Sequence, residues 1–123
     1  MPDALRAHVK AEQFGIVTSI RGLPLGVRTE LQTLFRSQTL DIAEPGGEFQ
    51  VAGVNGDLRL PTRRLVAAGC STDFHCLVYY ERGGTDRRWV VALFHWTLAA
   101  TRFEWGGTAP AALKTIDSGT ISD

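Results

Sequence analysis

A chain of 123 residues with 44% apolar and 21% charged residues has the size of one domain and can bury a core without metal or disulfide staples, which argues against disorder. Thirteen basic residues balance thirteen acidic ones, so no long-range field draws in nucleic acid or an anionic membrane, and general nucleic-acid binding is disfavoured. The start MPDALRAHVK lacks an apolar secretory core and the longest strongly apolar run, WVVALF, is too short to cross a bilayer, so a reducing cytosol is expected, with Cys70 and Cys76 as buried thiols and no membrane contact.

In chain order, Asp3 can cap a first helix over residues 4–13, with Leu5 and Val9 at i, i+4. FGIVTSI, residues 14–20, is rich in β-branched residues and ends at Arg21-Gly22, so it reads as a strand. Pro24 suits the first turn of a second helix, in which Leu23, Val27, Leu31, Leu34 and Phe35 recur as one apolar stripe. EPGGE, residues 44–48, breaks the chain. The alternating segments around Asn55-Gly56 then predict a hairpin that pairs Val54 with Asp57 and Val51 with Leu60. RRLVAAGC, residues 63–70, reads as a strand on its length and the turn after it.

From residue 74 onward the pattern predicts a meander of three segments, at about 74–82, 87–97 and 101–106. The middle one is apolar on both faces, as a covered central strand should be. The last alternates Phe103 and Trp105 against Arg102 and Glu104. Thr108 and Pro110 open a short C-terminal helix, and residues 117–123 read as a frayed tail. The fold expected is a single α+β domain over residues 1–123. Its antiparallel, strand-rich sheet has about five to seven strands with a C-terminal meander, and of its two main helices the second packs across one sheet face.

Strand parity decides what the meander presents. A loop centred on Gly84-Thr85 pairs Glu81 with Arg88 and Tyr80 with Trp89, and it places His75 and His95 on opposite faces. A three-residue GGT loop brings both histidines to one face, offset along the strands, but asks Thr85 to take a left-handed conformation. The first register is preferred for its cross-strand pairs, although it sets Arg82 against Arg87. It gathers His75, Leu77, Tyr79, Val90, Ala92, Phe94, Trp96, Phe103 and Trp105 beneath the second helix. A turn at Ser71 to Asp73 puts Cys70 opposite Phe74, one diagonal step from Cys76 and outside disulfide reach. A tight turn near Leu98-Ala99 sets His95 opposite Arg102 and Glu104 opposite Leu93.

His75 and Cys76 are strand neighbours that must point to opposite faces, and the CxxC and HxxxH spacings of common zinc modules are absent, so no metal site and no cofactor is expected. GxSxG, P-loop and Rossmann patterns are also absent. Two functional readings follow. In the first, the chain is a small cytosolic protein-binding module of the inhibitor, immunity or antagonist type. It would dock a protein partner, or a second copy, through a sheet face carrying Tyr80, Arg82, Arg87, Trp89 and Arg102, since tryptophan, tyrosine and arginine dominate interface hot spots. The alternative is a metal-independent RNase-like hydrolase in which His95 and Glu104 share acid and base duties and Arg102 stabilises anionic charge.

Overall fold

The computed structural model of the chain describes residues 3, 4, 7, 14–50, 60–72, 74–83 and 88–109. Five strands, β1 (Phe14–Val17), β2 (Arg63–Ser71), β3 (His75–Arg82), β4 (Arg88–Trp96) and β5 (Thr101–Ala109), form one antiparallel sheet in sequence order. The helix α1 (Leu25–Leu34) packs on this sheet against β4 and β5. The protein is therefore α+β, with the strands of the expected meander in place.

The segment before α1 is shorter as a strand than its composition suggests. β1 ends at Val17, and Ile20–Gly22 form a single 3-10 turn whose Gly22 N–H is taken by the Ser19 hydroxyl at 3.2 Å. Pro24 occupies the N-cap of α1. Leu23, Val27, Leu31 and Phe35 of the stripe are buried, while Leu34 is among the exposed large hydrophobics. The helix stops without a glycine: Arg36 takes φ 53, and the Arg36 and Ser37 N–H groups close back on the Thr33 and Gln32 carbonyls, the bonding of a Schellman motif.

EPGGE breaks the chain as expected. Gly47 N–H donates to the Glu44 carbonyl at 2.9 Å, with Pro45 and Gly46 between them and Gly46 at φ 78, a sign of φ that type II turns reserve for glycine at this position. Ala43 then runs beside Arg64 as a parallel bridge, so the outer edge of β2 is covered by β1 along one half and by Ala43 at the other. Residues 51–59 of the expected hairpin lie outside the described residues. At its base the Gln50 N–H donates to the Pro61 carbonyl at 2.9 Å.

Two apolar clusters lie on opposite faces of the sheet. On the helix side are Val27, Leu31, Phe35, Leu65, Ala68, Cys76, Val78, Tyr80, Ala92 and Phe94. On the other are Leu77, Tyr79, Val91 and Leu93, with Val66, Trp89 and Trp105 packed on them. β4 is thus buried on both faces, as its continuous apolar run requires.

Several expectations are corrected here. β3 is turned over relative to the preferred register, so Cys76, Val78 and Tyr80 face α1 in place of His75, Leu77 and Tyr79. Trp105 leaves the helix side because the β4–β5 ladder shifts between Leu93 and Phe94: Phe94 pairs with Phe103 but Leu93 pairs with Trp105, and Glu104 is the extra residue of a bulge. Thr108 is no helix cap, since β5 continues to Ala109 with Thr108 paired to Val90. The C-terminal helix and the tail at 117–123 lie outside the described residues. So does most of the first helix, of which Asp3, Ala4 and Ala7 are helical. Among the described residues no helix is long and apolar enough to cross a membrane.

Candidate functional site

The two histidines meet. β3 and β4 pair from Arg82 with Arg88 to His75 with His95, so the five residues 83–87 connect them and the histidines stand directly opposite each other. This overturns the preferred register, which separated them, and the offset in the other. The Trp96 N–H donates to the Phe74 carbonyl at 2.8 Å, which makes Phe74 and Trp96 a hydrogen-bonded pair. His75 and His95 are then a non-hydrogen-bonded pair, the kind whose side chains approach most closely. Their rings lie 5.6 Å apart at 86°. His75 is 4% exposed and its backbone N–H donates to the Ser71 hydroxyl at 3.3 Å, while His95 is half-buried.

The row continues onto β5. A tight turn, closed by the Thr97 N–H on the Ala100 carbonyl at 2.8 Å, sets Arg102 opposite His95 as the sequence suggested. Arg102 turns toward Glu104, donating from Nε at 3.2 Å and from Nη2 at 3.0 Å to Oε1. Glu104, the bulge residue, does not stand opposite Leu93. Among the described residues no three His, Cys, Asp or Glu side chains gather as metal ligands.

The same end of the sheet holds a disulfide in place of two thiols. Cys70 and Cys76 pair directly across β2 and β3, with Cα atoms 4.1 Å apart, and are bonded. The register sets the two cysteines directly opposite each other, whereas the expected register, with Cys70 opposite Phe74, put them a diagonal step apart. Phe74 completes the turn at φ 70, a left-handed conformation that costs a bulky L-residue roughly 1–2 kcal/mol.

Around this end the surface is unusually apolar. Leu98 at the β4–β5 turn is 97% exposed, Leu25 at the start of α1 69%, Phe74 54% and Phe103 40%. Leu25, Gly26, Glu30, Trp96, Leu98 and Thr101 line a groove of about 500 Å³ between α1 and the β4–β5 turn. The Phe74 carbonyl accepts the Trp96 backbone N–H, while the Phe74 ring lies outside the groove, 6.4 Å from that of His95. Sequence reasoning missed this surface because Leu25 and Leu98 each read as an isolated apolar residue beside a turn.

Of the residues expected to bind a partner, those described do not form one patch. Tyr80 is in the core, its ring 5.3 Å from that of Phe35 and edge-on to it. Burial raises its hydroxyl above the usual tyrosine pKa, against the opposing pull of Arg63 and Arg82. Arg82 is exposed, and Arg87 lies outside the described residues. Trp89 is half-buried and pairs with Glu81. It lies on the same strand as His95 but six residues away, about 20 Å at the usual strand rise. Arg102, exposed, belongs to the histidine end. At the Trp89 end, Arg64 donates from Nε at 2.8 Å to the buried Glu81 carboxylate and lies 4.5 Å over the Phe49 ring. No family model matches this chain, and the comparisons with curated proteins and with solved structures gave no match.

Proposed function

We propose that this protein is a small binding module of the inhibitor, immunity or antagonist type, and that it docks a protein partner at the sheet end formed by the β2–β3 and β4–β5 turns. The observation that carries the reading is the exposure of Leu25 and Leu98 along the groove that Trp96 also lines. An exposed apolar groove lined by an aromatic, here Trp96, with a polar residue, Glu30, beside it is the makeup of an interface hot spot. The cytosol is part of this proposal, and there the Cys70–Cys76 bond would be a redox-cycled one, not a permanent staple.

Leu98→Asp tests it, because a side chain 97% exposed contributes nothing to the core. The variant should unfold at the same denaturant concentration as the wild type. A partner co-purified from the native host with the wild-type chain should lose affinity at least tenfold, the result of putting a charge in an apolar contact. Equal affinity of the two proteins for that partner would refute the surface. A self-association constant that falls with Leu98→Asp in sedimentation would instead identify the partner as a second copy.

A hydrolase reading is favoured by one observation, the His75–His95 contact with Arg102 opposite. Two imidazoles can divide acid and base duties, with arginine near the developing charge, and His95, Glu104 and Arg102 would serve as first assigned. RNA incubated with wild type and His95→Ala decides this: cleavage lost in the variant would support the enzyme, and intact RNA in both would remove it.

A further inference from the structure

We propose that the Cys70–Cys76 disulfide is a thiol-exchange switch that sets the conformation of the Phe74 turn, and through it the apolar end of the sheet; this rests on reading that end as the partner-binding surface. Its position argues the point. The two cysteines are direct partners on strands already joined by their backbone ladder, so the bond ties together nothing that the sheet leaves apart. What it constrains is the connection that carries Phe74.

That turn holds a bulky residue where glycine or asparagine is usual, Phe74 at φ 70. On this proposal the closed bond adds a covalent restraint that holds Phe74 in this torsion, and opening it lets the torsion relax. The consequence travels through one hydrogen bond. The Phe74 carbonyl accepts the Trp96 N–H at 2.8 Å, and Trp96 lines the groove with Leu25 and Leu98.

Access fixes the chemistry. Cys70 is partly exposed and Cys76 fully buried, so a thiolate of a small dithiol reductant attacks the Cys70 Sγ. A mixed disulfide forms, the Cys70–Cys76 bond breaks, and Cys76 leaves as a thiolate that takes up a proton. The second thiol of the reductant, deprotonated, then attacks the reductant's own sulfur in the mixed disulfide and releases Cys70, which is protonated in turn. Two electrons and two protons pass to the protein, and the dithiol becomes a cyclic disulfide.

Amide hydrogen exchange on the full chain, oxidised and then reduced with dithiothreitol, tests this. The Trp96 amide should exchange at least tenfold faster in the reduced protein, with the mid-strand amides of Val78 and Ala92 unchanged. Phe74→Gly, which removes the conformational penalty, should exchange equally in both states. Free thiols in the air-oxidised protein by mass after alkylation, equal Trp96 exchange in the two redox states, or a tenfold difference that persists in Phe74→Gly would each overturn the switch. Failure of the underlying surface reads differently: partner affinity insensitive to Leu98→Asp sinks the surface even where the exchange difference is present.

Discussion

Glu81 shows how a single carboxylate chooses a register. Read two strands at a time, its natural partner is Arg88 on the following strand. In the folded protein it is met from the other side, by Arg64 of β2, which pairs with it directly and donates from Nε and Nη2 to one carboxylate oxygen. Once β2 satisfies Glu81, β3 and β4 are free to align by apolar burial, Leu77 with Leu93 and Tyr79 with Val91. The Arg82–Arg88 pairing that results involves two exposed side chains, where water and salt screen the repulsion. Arg64→Met keeps the stem over Phe49 but leaves a carboxylate 5% exposed without this guanidinium. It should destabilise the fold toward the lower end of the ~3–5 kcal/mol typical of breaking a buried pair, because Arg64 is partly solvated. Arg64→Met combined with Glu81→Leu should recover most of that loss in urea unfolding, and a double variant as unstable as the single one would show that the charge pair is not the cause.

At the scale of elements, α1 lies close on the sheet because Gly26 lets it. A Cβ there would sit 2.1 Å from the Thr101 hydroxyl oxygen and 3.0 Å from its Cβ, so Gly26→Ala must lift the helix or displace the β5 end. The expected cost is ~1–3 kcal/mol in denaturant unfolding, mostly recovered by adding Thr101→Ala. An unchanged midpoint in Gly26→Ala would mean that the helix does not approach so closely. The helix and the meander strands were legible because each carries its own periodicity: the Val27, Leu31 and Phe35 stripe, the two-faced run of β4, and the tight Leu98-Ala99 turn that set His95 against Arg102. What was not legible depends on a third partner or on one extra residue. The β3–β4 register needed Arg64 of β2, the exit of Trp105 needed the bulge at Glu104, and the disulfide needed Cys70 and Cys76 in direct register with Phe74 left-handed, which nothing in its side chain favours.

Taken whole, the sheet has two unlike ends. At one, polar groups are tied down: Asp41 accepts from the Thr62 N–H at 2.9 Å and the Thr62 hydroxyl at 2.6 Å, Arg63 reaches the same carboxylate at 3.3 Å and stacks 3.9 Å over Phe35, and Arg64 holds Glu81. At the other, apolar side chains are left in solvent around the histidine pair and the disulfide. The ion pair with the buried Glu81 carboxylate lies at the first end and the proposed binding surface at the second, so the two should respond to different perturbations. Tyr80 is the titratable probe of the anchored end. Burial raises its pKa above the ordinary value of 10.0, with Arg63 partly opposing the shift, so the folded state holds the phenolic proton more tightly than the unfolded chain does. The stability this supplies is fully present below about pH 10 and is lost as pH climbs through the folded pKa. Tyr80→Phe removes both the titration and the hydroxyl's favourable interaction with Arg63, and at pH 8 it should cost about 1 kcal/mol. Guanidinium unfolding at pH 8, 9.5 and 11 should therefore show wild type more stable at the first two and the two proteins converging at the third. Partner affinity measured at pH 8 should be the same for both, because Tyr80 lies at the other end of β3 from Phe74. Parallel stability curves to pH 11 would show that the Tyr80 hydroxyl is not buried against Arg63, and with it the anchored end would lose its physical basis.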